Sequence, residues 1–421
     1  MTAFHSFLKL PMQFRCMLFA AFVFNLGFYM LIPFLAGYLT DNLLLSASLV
    51  GVVLGVRSFC QQGLFLIGGL LADLLGHKQP IVIGCLLRAL GFSLFLFSDN
   101  IYLLFSAALL TGFAGALFTP AAQAYFATQQ VLTRAQMFSL VGIARNAGEL
   151  IGPLCGVLLL AVSFELLCVI AALPFALFAL IFLKLLKSDK SALPQKTSDS
   201  HNPSHQSSGI LTNVLSNKRF VMFSLVMSGY FMLINQISFA IPLYLTQQAY
   251  THEHIAWVMI LCAVIAIFLQ FPVTKLCEKY LTPRHWISIG ITFMGVAFAA
   301  LIPNFTALNP LLFWLALGVL SVVFTLGTLV SFPFILSQIS ELANNQSVAT
   351  HYGFFYLFAG CGLIAGSSLV GIAFDFAHIN TNLAWYCLIV IGLFTAFLNF
   401  VLLSAPNETE SEQAITHSII K

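Results

Sequence analysis

Twelve apolar stretches divide this chain: residues 16–39, 46–72, 79–98, 101–125, 135–160, 164–186, 219–247, 254–276, 285–303, 310–338, 351–374 and 382–404. A helix needs about 20 apolar residues to cross the hydrocarbon core of a bilayer, and each stretch approaches or exceeds that length. In hydrocarbon every backbone N–H and C=O must find a partner within its own segment, so such runs fold as helices. The charge count closes off a soluble globule. Only 17 Lys and Arg and 14 Asp and Glu occur among 421 residues, 7% of the chain, where a soluble domain carries about 25%. A net charge of +3 without a basic stripe also argues against nucleic acid as a partner. The expected fold class is an all-α polytopic membrane protein with twelve transmembrane helices.

An even number of spans puts both termini on one side, and the cations decide which side that is. The odd-numbered connections hold Asp41, Asp99, Glu165, Glu253 and Asp375, and no Lys or Arg. The termini, the even-numbered connections and the adjoining helix ends hold 14 of the 17 cations, among them Lys9, Arg15, Lys78, Arg134, Lys184, Lys218, Lys275 and Arg284. The positive-inside rule makes that face cytoplasmic, with the chain expected in a bacterial inner membrane. One missed helix would reverse every later connection, so the segregation also supports the count. The nine cysteines are scattered without a CxxC pair and read as apolar packing residues, not as a disulfide frame or metal site. The first apolar run is too long for a cleaved signal and is expected to stay as a span.

One long polar segment, residues 188–217, has the Ser, Pro, Gln and Asn bias of a flexible linker. It lies between spans six and seven and divides the chain into a six-helix bundle over 1–187, a cytoplasmic linker over 188–217, a second bundle over 218–404 and a tail over 405–421. The halves resemble each other. FNLGFYMLIPFLAGYLTDN in span one is similar to INQISFAIPLYLTQQ in span seven, and Gly148 and Gly152 in span five match Gly362 and Gly366 in span eleven at the same spacing. Two rigid repeated halves are what alternating access to a midplane site requires.

After span two the chain reads Gly69-Leu70-Leu71-Ala72-Asp73-Leu74-Leu75-Gly76-His77-Lys78. Gly69 permits a close helix approach, Asp73 sits at a helix end, Gly76 turns the chain and Lys78 meets the cytoplasmic face. Asp73 is placed to hold a charge pair or cap a neighbouring helix in one conformation and release it in another. The segment resembles the G-x-L-A-D-x-x-G-R-K loop of the major facilitator superfamily, with His77 where Arg is usual. In span five, Gly148, Gly152, Pro153 and Gly156 form a smooth face with a helix-bending proline. That face is similar to a pattern of the superfamily's proton-driven exporters, with Val157 in place of a final Gly. Residues 51–63, 88–92 and 217–221 look like a bacterial multidrug-resistance branch, the drug:proton antiporters. The resemblance implies two pseudo-symmetric six-helix bundles and a transporter rather than an enzyme. It also implies a monomer without cofactors, driven by the proton gradient. One departure is Ala108, four residues before Gly112 in span four, where such exporters often carry Arg.

Arg57, Arg88, Arg145 and Glu149 lie well inside spans, where a charge costs about 2.5–3.5 kcal/mol on insertion scales, so each is expected to face the bundle interior or water. At about 1.5 Å per helical residue, Arg88 and Arg145 sit about 15 and 16 Å beyond Lys78 and Arg134, near the midplane, and Arg57 lies farther out. Arg145 and Glu149 are four residues apart on one helix face and can pair. A permanent pair makes Glu149 structural; a pair that opens lets it carry a proton. Both readings stay open at this point. Asp41, at the outer end of span one, is the second proton-coupling candidate, or only caps its loop.

A substrate pocket combines apolar walls with a few polar groups. The candidates are Asn25 and Tyr29 in span one, Arg57, Gln61 and Gln62 in span two, Arg88 in span three, Gln123 in span four, and Tyr230, Asn235 and Gln236 in span seven. The 43 Phe residues supply aromatic wall suited to amphipathic compounds, whereas the three arginines inside spans favour a carboxylate-bearing substrate such as a siderophore. The expected activity is export of a small organic compound in exchange for protons, the alternative being an importer of a small metabolite or siderophore. A membrane enzyme would need a compact Ser/His/Asp or metal-ligand cluster, and none is visible.

Overall fold

The computed structural model describes residues 3–41, 43–186, 203–248, 252–302, 310–344, 346–376 and 381–402. Among them the chain is helical throughout, with no strand. The helices are α1 (Ala3–Lys9), α2 (Met12–Asp41), α3 (Ala47–Gly63), α4 (Phe65–Leu75), α5 (Lys78–Leu94), α6 (Ile101–Ala127), α7 (Arg134–Leu160) and α8 (Phe164–Leu185), then α9 (Pro203–Ser216). The second half holds α10 (Lys218–Ile234), α11 (Ala240–Gln247), α12 (His252–Cys277), α13 (Pro283–Ala297), α14 (Pro310–Leu342), α15 (Val348–Asp375) and α16 (Leu383–Leu402). Among the described residues, eleven segments are long and apolar enough to cross a membrane. The bent pair α3 and α4 supplies a twelfth.

Two spans that read as single runs are broken. The stretch 46–72 turns by 44° between α3 and α4, where Leu64 after Gly63 leaves the helical region at φ −100°, ψ 4°. The stretch 219–247 is interrupted between α10 and α11 by a 3-10 turn, Asn235–Ile237. There Gln236 donates back to the Met232 carbonyl at 2.6 Å and Asn235 donates to Ser367 Oγ at 2.8 Å. Polar side chains that take over the backbone's hydrogen bonds compete with the helix, and hydropathy does not register such a break.

The segment expected as a flexible linker is partly ordered. Residues 188–202 lie outside the described residues, as does the tail 405–421, but Pro203–Ser216 forms α9. Its Ile210 and Val214, four residues apart, are buried while Asn213 and Leu215 stay exposed. The helix packs on α4 from the first half and on α10 and α15 from the second. Two apolar residues on one face suffice to seat it; the surrounding Ser, His and Gln hide them in composition.

Helices α2 to α8 and, separately, α10 and α12 to α16 pack mostly within their own half, except that α4 packs most on α15 and α12 most on α7, across the halves. Bare glycine faces set the closest approaches, as expected where lipid removes the hydrophobic drive and packing must hold helices together. A Cβ on Gly148, Gly152 or Gly156 of α7 would lie 2.4–2.8 Å from α2 atoms at Phe22, Tyr29 and Met30. The repeat-related Gly362 and Gly366 of α15 stand likewise 2.3 Å from Ser228 and 2.7 Å from Met232 on α10. Aromatic stacks fill the interiors, such as Phe24 on Phe175 at 4.3 Å and Phe298 on Trp385 at 6.1 Å. Apolar side chains such as Leu158, Phe268 and Phe397 cover the outside.

Candidate functional site

On the cation-rich face the two halves are held together by side chains at helix ends. Thr133, Ser163 and Asn217 each cap their own helix, α7, α8 and α10, by accepting a first-turn N–H. Helix α15 has no such cap: Ser347 sits at φ 49° and accepts nothing with its side chain. Asp73 of the other half takes its place. It accepts the N–H of Ala349 at 3.2 Å, and the N–H and hydroxyl of Thr350 at 2.7 and 2.6 Å. A carboxylate there meets both the unsatisfied amides and the positive end of the helix dipole.

Two glycines make this approach possible. A Cβ on Gly69 would stand 2.2 Å from the Ala349 carbonyl oxygen, and one on Gly353 would stand 2.3 Å from that of Phe65, so α4 and α15 cross backbone to backbone. Gly76 ends α4 at φ 82°, in the left-handed region, and Lys78 opens α5. Deeper in, Gln123 donates to the Tyr356 hydroxyl at 2.5 Å, Tyr356 lies 5.1 Å from the Phe65 ring, and Phe138 meets Tyr352 at 6.0 Å.

A second carboxylate latch closes the same face. Glu278, just past the end of α12, accepts from the Thr133 hydroxyl and from Gln136 Nε2 at the start of α7. Asp73 ends the second span of its half and holds the fifth span of the other; Glu278 stands at the equivalent place and does the same in reverse. Sequence reading missed it, although LTPRHWISIG over 281–290, just past it, resembles LLGHKQPIVIG over 74–84, just past Asp73, and was the available signal.

Behind these latches lies a charged cluster. Arg57 donates to Gln61 Oε1 at 3.1 Å and to Ser58 Oγ at 3.2 Å, with its guanidinium 5.2 Å from the centre of the Phe28 ring. Arg88 donates to the Thr111 carbonyl at 3.5 Å and lies 5.9 Å from the same ring and 5.6 Å from Phe175. Gly115 makes its room, since a Cβ there would stand 2.5 Å from Arg88 Nη2. Tyr29 is within electrostatic reach of Glu149, Arg145 and Arg57 together. Arg145 reaches across to the second half, 4.9 Å from the centre of the Phe332 ring, and Phe332 stacks at 6.2 Å on the buried Tyr230. Among the described residues no ion pair joins Arg145 to Glu149, and Glu149 is exposed.

The other candidates are placed differently. Asn25 donates to the Ala21 carbonyl at 2.7 Å and abuts Gly148, Gln62 lies beside Gly360 of α15, and Gln123 belongs to the closed face. Asn235 and Gln236 serve the break after α10, and Pro153 follows Gly152 within α7. The side chain of Asp41 lies outside the described residues. Phe28, Phe332, Tyr356 and Gly115 join the site without any sequence signal, because a Phe or Gly in a membrane helix is usually only packing.

The model of the Major Facilitator Superfamily matches residues 17–367, and again 251–419. An uncharacterised transporter of this type from Mycobacterium tuberculosis is 32% identical over 388 residues, 90% of each chain. The multidrug resistance protein MdtH of Shigella dysenteriae is 30% identical over 373 residues, 88% of this chain and 89% of its own. MdtH of Escherichia coli is 30% identical over 374 residues, with the same coverage. Among solved structures, the human organic anion transporter MFSD10 superposes with a TM-score of 0.70 at 14% identity, over 93% of this chain and 100% of that one. The peptide transporter POT gives 0.63 at 16% identity, over 91% and 94%. With the helical bundle, the latched face and a family match across the chain, this protein is a transporter of the Major Facilitator Superfamily.

Proposed function

We propose that the protein exports a small organic compound from the cytoplasm across a bacterial inner membrane, in exchange for protons, by alternating access as a monomer. The observation that carries this reading is the latched cation-rich face together with the charged cluster deeper in the same bundle. If that face is cytoplasmic, as its 14 cations argue, the latches close the cytoplasmic side in this conformation. Similarity to multidrug resistance proteins over most of the chain supports export. Glu149 is the carboxylate in the cluster that Tyr29 faces, and it is the group through which we couple proton entry to substrate release.

Inverted membrane vesicles with an imposed pH gradient, given cationic drugs and carboxylate chelators in parallel, test the scheme. Gradient-driven accumulation that Glu149→Gln abolishes is the expected result. Wild-type uptake indifferent to collapse of the gradient would sink proton coupling, retained coupling in the Gln variant would move the proton site elsewhere, and accumulation by intact cells would make the protein an importer.

A further inference from the structure

The charges of the interior site do not balance, and the excess is on one wall. The deep charges of the first half are three cations, Arg57, Arg88 and Arg145, and one carboxylate, Glu149. A guanidinium offers five N–H donors, yet among the described residues these three make only the hydrogen bonds of Arg57 to Gln61 and Ser58 and of Arg88 to Thr111. The Nε atoms of all three are buried without a partner. Arg57 and Arg88 both lie within 6 Å of the Phe28 ring centre. Two like charges that close, at membrane depth, are costly unless an anion or water joins them. The second half supplies an aromatic wall: Arg145 lies over Phe332, Phe332 stacks on Tyr230, Phe231 meets Tyr230 and Tyr356 meets Phe231.

We infer that the substrate is an amphipathic organic anion, whose carboxylate lies between Arg57 and Arg88 and whose ring or apolar body lies against Phe332 of the second half. This rests on the transporter reading above and names its substrate class. The planar fork of arginine matches a carboxylate with two parallel hydrogen bonds, and the free donors here are the ones such a group would take. A permanent cation would meet three positive charges and one negative. The charged wall belongs to the first half and the aromatic wall to the second, so the bound molecule bridges the two bodies that must move.

The test is binding to the purified full-length protein in nanodiscs, read as a thermal shift and a titration with no gradient applied. The probes are 1-naphthylacetate, its methyl ester and 1-naphthylmethylammonium, equal in ring and different in charge. The carboxylate is expected to stabilise the protein and to bind at least tenfold more tightly than the other two. Arg57→Gln is expected to weaken it by tenfold or more, with Arg57→Lys recovering part. Arg88 is packed against two rings, so the probe comparison in the wild type carries the test if Arg88→Gln does not fold. Equal or tighter binding of the ester or the ammonium would overturn the inference, as would unchanged carboxylate affinity in a folded Arg57→Gln. Anion binding without gradient-driven flux in vesicles would leave the substrate class standing and sink the antiport reading. Gradient-driven flux of the ammonium probe alone would do the opposite.

Discussion

The Asp73 carboxylate caps a helix that belongs to the other half of the molecule, accepting the Thr350 amide at 2.7 Å and the Thr350 hydroxyl at 2.6 Å. Residues 277 positions apart thereby share one helix terminus, and the face they close opens only when that bond breaks.

Asp73→Asn keeps the shape of the latch and removes its charge. Hydrogen bonds to charged groups contribute about 1.5–3 kcal/mol, so the loss is expected to shift the equilibrium toward opening of this face by tenfold or more. Spin labels at the exposed positions Leu75 and Gln346 measure it: the distance distribution should gain a longer component. An unchanged distribution would mean that the glycine crossing holds the face by itself.

Glu278→Gln is expected to act in the same direction, because Thr133 and Gln136 lose a charged acceptor. The two latches sit at different helix pairs and bias one equilibrium. Their free energies should add, as distant sites do to within about 0.5 kcal/mol, and the double variant should populate the open form by the product of the two shifts. Equal opening in the single and double variants would refute independent latches.

Gly69→Ala puts a Cβ 2.2 Å from the Ala349 carbonyl oxygen, while the same change at Gly51 meets nothing within 4 Å. Overpacking of this kind costs about 1–3 kcal/mol. The first variant should lose transport and melt earlier or favour the open face. The second should melt no lower than the parent, since Ala favours a helix over Gly by about 1 kcal/mol.

Val214→Asp places a charge at the buried contact of α9. The helix should leave its seat on α4, α10 and α15, and limited proteolysis within 203–216 should become fast. Cleavage as slow as in the parent would show that Ile210 seats the helix alone.

The spans and the latch motif were legible in the sequence because each rests on local order. A run of about 20 apolar residues is a span wherever it occurs, cations accumulate at one set of ends, and Gly69, Asp73 and Gly76 sit within eight residues of one another. The breaks at Leu64 and Asn235 were not legible, since hydropathy continues across them, and α9 was masked by polar neighbours. Asp73's partner and the entire Glu278 latch were beyond reach for a different reason. Thr350 lies 277 residues from Asp73 and Thr133 lies 145 from Glu278, and no spacing rule connects residues on separate bodies.

The interior site divides the same way. That Arg57, Arg88, Arg145 and Glu149 are functional candidates follows from the sequence alone, because a charge at membrane depth is too costly to keep without a use. Which of them meet is a matter of packing. Arg145 and Glu149, neighbours on one helix face, do not pair; Arg145 turns to Phe332 instead, and Arg57 and Arg88, from different helices, share the Phe28 ring. Sequence determined that this chain lives in a bilayer and which charges fall within its apolar spans, since both are read from hydropathy along one stretch of chain. Only the tertiary structure decided which charges face one another, because that depends on how glycine faces such as Gly148 on α2 and Gly69 on α15 let separate helices approach.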